Sequence, residues 1–261
     1  MANRLLFRDS PLEVICGRRI TEEAPLALKL FIPCFMDQGA PQTAAAVARL
    51  LDRLGVAWDY PQDQTCCGQF AFTLGDPAAA RRLMRHFLRV FGNGETILCP
   101  SASCSYMVRR HYPELARDGR ERRGIEDLVT RVRELSEWLA DWGPLPWTPR
   151  FQGALVLHRS CKARQLEVLS AASQVLSQVV GLTLREVSPY YSCCGFGGVF
   201  RAQQPRLSRD IGEGYLEAVR ATGAQGLVSL DSSCLLHLRG LARDRGWDLQ
   251  FLHLAEILSA E

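Results

Sequence analysis

The most informative stretches of the sequence are Cys66-Cys67-Gly68 and Cys193-Cys194-Gly195. Each follows a single cysteine, Cys34 or Cys161, by the same 32 positions. A third element recurs in the same order, because both halves of the chain end this pattern with a Ser-Cys dipeptide. Three matching elements in the same order indicate an internal repeat. We therefore expect the two halves to have the same fold.

The segments between these cysteines repeat as well. Short apolar runs end just before a cysteine and predict buried strands, and several of the helical stretches begin at a proline or end at a glycine. The predicted strands are 26–33, 56–60, 96–98, 154–158, 182–187 and 226–230, and the predicted helices are 41–54, 76–91, 135–139, 163–180, 205–222 and 254–258. Strands that alternate with helices predict an α/β fold, with a mainly parallel sheet flanked by helices in each half.

The repeat divides the chain into two homologous halves. We expect a first half over residues 26–142 and a second half over 151–261, joined by a proline-rich linker at 143–150. Residues 1–25 form an N-terminal extension that matches nothing in the second half. This extension carries Cys16, which therefore lies outside the repeat.

The composition limits the class of protein. The chain has 261 residues, of which 47% are hydrophobic and 10 are cysteines, so it can bury a core without disulfide bonds. No run approaches the roughly 18 apolar residues of a transmembrane segment. Charges at Arg4 and Arg8 argue against a signal peptide. We therefore expect a cytoplasmic protein whose cysteines are metal ligands or redox thiols.

The charge pattern gives little support for binding nucleic acids or nucleotides. The net charge is only +3, and no basic face with interleaved aromatic residues is visible, so we expect no nucleic-acid partner. The stretch from Gly195 to Phe200 is similar to a dinucleotide-binding loop, but Phe200 stands where the third glycine belongs.

Every cysteine of the repeat follows a predicted strand directly or within a few residues. In open α/β sheets ligands bind beyond the carboxyl ends of the strands, so these cysteines should converge at one edge of each sheet. Helix N-termini near Pro41 and Ser233 would direct partial positive charge at this edge and stabilise thiolates. Gly68 and Gly195 permit a positive φ angle or a close backbone approach after each cysteine pair.

The cysteines of the repeat form a candidate metal-binding set in each half. The sets are Cys34, Cys66, Cys67 and Cys104 in the first half, and Cys161, Cys193, Cys194 and Cys234 in the second. Adjacent cysteines usually project in divergent directions, whereas structural zinc sites favour ligands two to four residues apart. Four thiolates are the complement of an iron–sulfur cluster. We expect iron–sulfur chemistry, with zinc or metal-free thiols as alternatives.

The repeated pattern resembles the cysteine-rich CCG proteins, which include the cysteine-rich component of heterodisulfide reductase and the iron–sulfur subunit of glycolate oxidase. The likeness is strongest to the lactate-utilisation iron–sulfur subunits and spans about residues 26–260. It rests on residues 66–69, 103–104, 158–161, 193–198 and 253–256. The resemblance implies an electron-transfer subunit that works through iron–sulfur clusters, and we expect one cluster, of the [4Fe-4S] type, in each half. It also implies two partner subunits, with which the protein oxidises L-lactate to pyruvate.

One position departs from the longer CCG proteins, in which each half ends in Cys-x-x-Cys. The first half has Cys99 five residues before Cys104, and the second half has Ser229 at the matching position. Cys99 is either a fifth ligand of one site or a buried thiol at a strand end. The missing cysteine argues against heterodisulfide-type catalysis. A stand-alone thiol/disulfide oxidoreductase and a zinc protein without a redox role are the alternative functions.

Several polar residues flank the cysteines. His158, three residues before Cys161, is a candidate metal ligand or hydrogen-bond donor to a cluster sulfur, or else a capped or solvent-facing histidine. Ser103 and Ser233 could donate to sulfur or cap helices, and Asp231 is a candidate cap. No convincing acid–base pair or nucleotide site is apparent, which favours an electron carrier over an enzyme acting alone.

Overall fold

The computed structural model describes residues 28–191 and 193–260. Within them the chain forms two parallel four-stranded sheets flanked by helices, which confirms the predicted α/β fold of two homologous halves. The predicted N-terminal extension, with Cys16, lies outside the described residues.

The first half contains one sheet and eight helices. Its strands are β1 (Leu28–Leu30), β2 (Trp58–Asp59), β3 (Ile97–Cys99) and β4 (Val132–Glu134). Its helices are α1 (Cys34–Gly39), α2 (Pro41–Arg53), α3 (Gln69–Thr73), α4 (Pro77–Phe91), α5 (Ala102–Tyr106), α6 (Tyr112–Leu115), α7 (Gly119–Arg131) and α8 (Leu135–Trp142). A π-helical turn at Met107–His111 joins α5 to α6. The strand order is β2-β1-β3-β4, and every residue of the central strand β3 is buried, as expected in a parallel sheet covered on both faces.

The second half repeats this arrangement. Its strands are β5 (Arg150–Leu157), β6 (Val180–Arg185), β7 (Gly226–Ser229) and β8 (Gln250–His253). Its helices are α9 (Cys161–Gln165), α10 (Leu169–Leu176), α11 (Val199–Gln203), α12 (Pro205–Ala221), α13 (Ser232–Asp244) and α14 (Leu254–Ser259). The strand order β6-β5-β7-β8 matches that of the first sheet, so the repeat in the sequence is a repeat of topology.

Local sequence signals set the long helices. Pro77 and Pro205 occupy the first positions of α4 and α12, where the missing N–H costs nothing. The Asp76 carboxylate caps α4 by accepting the Ala79 N–H at 2.9 Å. The buried side chains of α4 recur every three or four residues, at Ala80, Met84, Phe87 and Phe91, so one face packs inward. In the part of the chain that the structure describes, no helix is both long and apolar enough to cross a membrane.

The single helix predicted over 163–180 is wrong. The chain instead forms the separate helices α9 and α10. Between them Glu167 adopts a left-handed conformation with a φ of 62°, and the Val168 N–H donates to the Ala163 carbonyl at 3.2 Å. This is a helix-ending hydrogen bond, and it depends on backbone conformation, which apolar spacing does not encode.

Other differences occur at the edges of the sheets. The outer strands β4 and β8 are not predicted, because polar residues interrupt them and neither forms a continuous apolar run. Helix α7 covers much of the segment 113–130, for which the second half has no counterpart. Gly181, the expected end of a helix, lies inside β6, next to the irregular pairing of β5 with β6.

Each half has a buried hydrophobic cluster of its own, and a third cluster, the shared core, contains residues of both halves. Helix α8, which closes the first half, packs on α10, and α14, which closes the second half, packs on α2. Leu50, Leu139 and Val175 are fully buried in this core together with Leu258. The Trp147 indole N–H donates to the Leu258 carbonyl at 3.0 Å. Because the last helix of each half is buried against the other half, separating the halves would expose this shared cluster.

We expect Leu258→Ala to lower the free energy of unfolding by about 3 kcal/mol, because it removes a fully buried side chain. The loss should occur in one cooperative transition, seen at the same urea concentration by circular dichroism and tryptophan fluorescence of the reduced, metal-free protein. Leu207→Ala is the control, since Leu207 is 50% exposed, and should change stability by less than about 0.5 kcal/mol. Two separate transitions would contradict a shared core.

Candidate metal centre

A cavity of about 170 Å³ lies beyond the carboxyl ends of the central strands of both sheets. Its lining comes from the segments that follow β1, β3, β5 and β7 and from the two Cys-Cys-Gly loops. All eight cysteines of the two predicted sets line it: Cys34, Cys66, Cys67, Cys104, Cys161, Cys193, Cys194 and Cys234. The sequence predicts convergence within each half, and the structure brings the two sets to the same cavity.

The backbone places the cysteine pairs through two glycines. Gly68 has a φ of 86° and Gly195 a φ of 79°, which confirms the positive φ expected after each pair. A Cβ atom on Gly195 would lie 2.3 Å from the Ser208 carbonyl oxygen, so a side chain does not fit there. Left-handed glycine at this point directs the backbone N–H of Gly68 and of Gly195 toward the preceding cysteine pair.

The sulfur atoms of the first set form two close pairs. The Sγ atoms of Cys34 and Cys66 lie 3.8 Å apart, and those of Cys67 and Cys104 lie 3.3 Å apart. A hydrogen bond from the Cys34 thiol lowers the pKa of Cys66 to about 3, and the Gly68 N–H donates to the same sulfur at 3.3 Å. The first set therefore holds a thiolate at neutral pH.

The second set has the same kind of pairing. The Sγ atoms of Cys194 and Cys234 lie 3.0 Å apart. A hydrogen bond from the Cys234 thiol holds the pKa of Cys194 well below its usual range, in spite of burial. The Gly195 N–H donates to the Cys193 sulfur at 3.3 Å, as the Gly68 N–H does in the first half. The second set therefore also offers a thiolate at neutral pH.

Cys99 lies behind this cavity and is absent from its lining. It is fully buried, its Sγ lies 3.6 Å from the Ser101 carbonyl oxygen, and burial raises the pKa of its thiol. In the second half Ser229 is also fully buried, and its Oγ accepts the Asp231 N–H at 3.1 Å. This placement favours a buried thiol at a strand end over a fifth ligand.

The buried carboxylate of Asp231 connects the halves at the cavity wall. It accepts hydrogen bonds from the Ser101 hydroxyl at 2.8 Å and the Ser103 N–H at 2.8 Å, both in the first half. It also accepts from the Ser160 hydroxyl at 2.9 Å, in the second half. The expectation that Asp231 caps its own helix is wrong, since its side chain makes no cap bond to α13. A charged acceptor with three donors is among the strong hydrogen-bonding arrangements.

His158 lies behind the second set and does not line the cavity. Its side chain is 1% exposed, so a solvent-facing histidine is excluded. A ring nitrogen lies within 4.8 Å of the sulfur atoms of Cys194 and Cys234. Neither ring nitrogen has a hydrogen-bond partner among the described residues.

Aromatic side chains from both halves form an apolar wall of the cavity. The rings of Phe35 and Phe70 stack with centroids 5.6 Å apart, and Phe196 meets Phe35 edge-on at 5.3 Å. Phe196 comes from the second half, so the wall closes across the boundary between the halves. Sequence reasoning missed this wall, because no spacing rule connects the three positions.

Two buried ionisable groups lie at the ends of the outer strands: Glu134, which sequence reasoning missed, and His253, which belongs to the stretch 253–256 that carries the resemblance. Glu134 and His253 occupy equivalent positions, and each caps the following helix in a reciprocal arrangement with Glu137 or Glu256. Burial, then the charges of Asp231 and Glu137, raises the pKa of Glu134 to about 8. Burial lowers the pKa of His253. The available signal is a polar residue three positions before glutamate, directly ahead of an apolar helix.

The donor atoms of the cavity fit an iron–sulfur cluster better than a disulfide framework. All nine cysteines among the described residues are free thiols, and eight of them meet at one place. Backbone N–H groups already point at three of the sulfur atoms, and apolar rings line one side of the cavity. Thiolates with backbone hydrogen bonds in a largely apolar surrounding are the usual ligands of such clusters.

The fold and the cavity together define a class: a cysteine-rich α/β protein made of two repeats. A family model described as "CCG: Cysteine-rich domain" matches residues 28–109 and 155–239, and the chain belongs to this CCG family, with two copies of the domain.

Named relatives cover almost the whole chain. Lactate utilization protein A 2 of Bacillus cereus (strain 03BB102) is 32% identical over 237 residues, which are 90% of this chain and 98% of the relative. Lactate utilization protein A 1 of Bacillus anthracis (strain CDC 684 / NRRL 3495) shows the same identity and coverage. Lactate utilization protein A of Macrococcus caseolyticus (strain JCSC5402) is 30% identical, over 90% of this chain and 96% of the relative.

Glu134 gives the fold a pH dependence. Its pKa is about 8 in the folded chain against 4.5 as the ordinary value, so the folded state retains a proton that the unfolded state releases. Stability should therefore fall as pH rises from about 4.5 to about 8. Glu134→Gln keeps a neutral hydrogen-bond acceptor at this position. We expect the free energy of unfolding of this variant to fall by a few kcal/mol less than that of the wild type over the same pH range.

Urea unfolding of the reduced, metal-free protein at pH 5.5 and 8.5 measures this effect. The wild-type midpoint should drop more between the two pH values than that of Glu134→Gln. Glu186→Gln is the control, because Glu186 is exposed, and its two midpoints should follow the wild type. Equal drops in the wild type and in Glu134→Gln would show that Glu134 carries no proton at neutral pH.

Proposed function

We propose that this chain is the iron–sulfur electron-transfer subunit of a complex that oxidises L-lactate to pyruvate. The observation that carries the proposal is the convergence of two equivalent four-cysteine sets on one cavity between the halves. The relatives named lactate utilization protein A support the lactate part, because they match this chain over nearly their whole length.

Each half would hold one cluster, of the [4Fe-4S] type, through its own four thiolates. The ligands are Cys34, Cys66, Cys67 and Cys104 in the first half, and Cys161, Cys193, Cys194 and Cys234 in the second. When bound, such a cluster supplies one-electron storage. The protein contributes the thiolates, the N–H groups of Gly68 and Gly195, and the aromatic wall that limits access of water.

Substrate oxidation would take place on a partner subunit. Conversion of L-lactate to pyruvate breaks one C–H and one O–H bond and releases two electrons and two protons. The partner that binds the hydroxy acid would keep or release the protons and pass the electrons to this chain, which would pass them to a further subunit. Free thiols throughout the described residues suit a reducing compartment such as the cytoplasm.

The ligand assignment predicts how iron is lost from variants. After anaerobic purification and reconstitution, Cys67→Ser and Cys194→Ser should each remove about half of the iron and acid-labile sulfide, because each change opens one four-thiolate set. Cys99→Ser is the matched control, since it places in the first half the residue that the second half has at Ser229. It should keep the wild-type iron content.

Three results would contradict the assignment. Stoichiometric zinc without iron in the reconstituted wild type would favour a zinc protein. Loss of all iron from either Cys67→Ser or Cys194→Ser would show that the eight thiols hold a single site. Loss of iron from Cys99→Ser would make Cys99 a ligand.

The lactate part has a separate test. Gentle recovery of a tagged chain from lactate-grown cells should bring partner subunits with it, and lactate should bleach the visible absorption of that complex. The isolated chain should not respond to lactate, because the hydroxy acid binds elsewhere. A complex that is bleached by another hydroxy acid and not by lactate would identify a different substrate.

A further inference from the structure

The two thiol sets have different surroundings, although the repeat places residues at equivalent positions around them. Phe31 stands three residues before Cys34, and His158 stands three residues before Cys161. Each packs edge-on against an aromatic residue in the eleventh position of a proline-initiated helix. That residue is Phe87 in α4 and Tyr215 in α12.

The two aromatic pairs have the same centroid distance and both are edge-on, with interplanar angles of 82° and 63°, but their chemistry differs. The ring centroids lie 4.9 Å apart in the Phe31–Phe87 pair and 4.9 Å apart in the His158–Tyr215 pair. All four side chains are buried to 2% exposure or less. The first half therefore offers only carbon at this place, whereas the second half offers an imidazole and a phenol.

The polar atoms of the second pair lack partners. His158 Nδ1, His158 Nε2 and the Tyr215 hydroxyl make no hydrogen bond among the described residues, and all three are buried. A buried polar atom without a partner costs about 1–3 kcal/mol, so three such atoms together call for an explanation. Behind the first set, the same places hold no polar side-chain atom that could be left unpaired.

Two sulfur atoms of the second set lie close to this pair. A His158 ring nitrogen lies within 4.8 Å of both Cys194 Sγ and Cys234 Sγ, and His158 itself stays outside the cavity lining. An imidazole close to these sulfur atoms and outside the cavity lining is placed to donate a hydrogen bond to a ligand sulfur. Such donors stabilise the more electron-rich state of a thiolate-bound cluster and so raise its reduction potential.

We propose that His158, assisted by Tyr215, is a positioning residue that donates its N–H to a ligand sulfur of the second set and makes the second-half site the higher-potential of the two. This inference rests on the proposed iron–sulfur function. An electron shared between the halves would then reside mainly in the second half. Directional transfer thus arises from two positions at which the repeat has diverged.

The test uses the full chain, reconstituted anaerobically, with potentials read by EPR-monitored redox titration. The Cys67→Ser background isolates the second-half site. In that background His158→Phe places at this position the residue that the first half has at Phe31. It should lower the midpoint potential by about 59 mV, which corresponds to a tenfold change in the one-electron equilibrium constant. Iron content should stay unchanged. His158→Gln keeps an N–H donor and should recover part of the shift.

Tyr215→Phe is the second variant, because it removes one oxygen atom and retains the packing of the ring. It should lower the same midpoint by a smaller factor. Phe31→Leu is the matched control in the first half and should leave the second-half midpoint unchanged.

An unchanged midpoint in both His158→Phe and Tyr215→Phe, with iron retained, would overturn this inference and leave the proposed function intact. Loss of iron in His158→Phe would also overturn it, by making His158 a metal ligand. Absence of iron and sulfide from the reconstituted wild type would overturn the proposed function and this inference together.

Discussion

The carboxylate of Asp231 is the contact on which the arrangement of the site depends. It accepts hydrogen bonds from Ser101 and Ser103 of the first half and from Ser160 of the second, and it is almost completely buried. Each donor belongs to a segment that also carries a candidate ligand, because these segments follow β3 and β5 directly. Because all three donors bind the Asp231 carboxylate, the neighbouring cysteines of both halves are held around one cavity. The closing helix of each half also packs on the other half, α8 on α10 and α14 on α2, and these contacts hold the two halves in the same arrangement.

The shared cavity brings the thiol sets of the two halves together, which neither half could do alone. Two equivalent thiol sets border the same space, so two redox sites would lie side by side within one protein. Their surroundings are nevertheless unequal. Aromatic hydrocarbon lies behind the first set, at Phe31 and Phe87, and polar rings lie behind the second, at His158 and Tyr215. In the proposed function, duplication would supply the symmetry of the ligands, and divergence of the residues behind them would supply a difference in potential.

The sequence predicts the fold and the ligand sets because both depend on local rules. Apolar runs before Cys34 and Cys161 predict strands, and parallel strands bring their carboxyl ends together. The meeting of the two sets is not predictable in this way, since it depends on Asp231, whose donors lie 71 to 130 residues away in the chain. The break at Glu167 depends on one backbone conformation. The burial of His158 depends on packing against Tyr215, which no sequence period reveals.

Anomalous diffraction at the iron absorption edge, from crystals of the anaerobically reconstituted chain, tests the central claim most directly. The central claim is that two thiolate sets in one cavity each hold an iron–sulfur cluster. Two separate groups of iron peaks should appear, one bordered by Cys34, Cys66, Cys67 and Cys104 and the other by Cys161, Cys193, Cys194 and Cys234. A single group of peaks shared by the eight thiols, or a signal at the zinc edge alone, would contradict it.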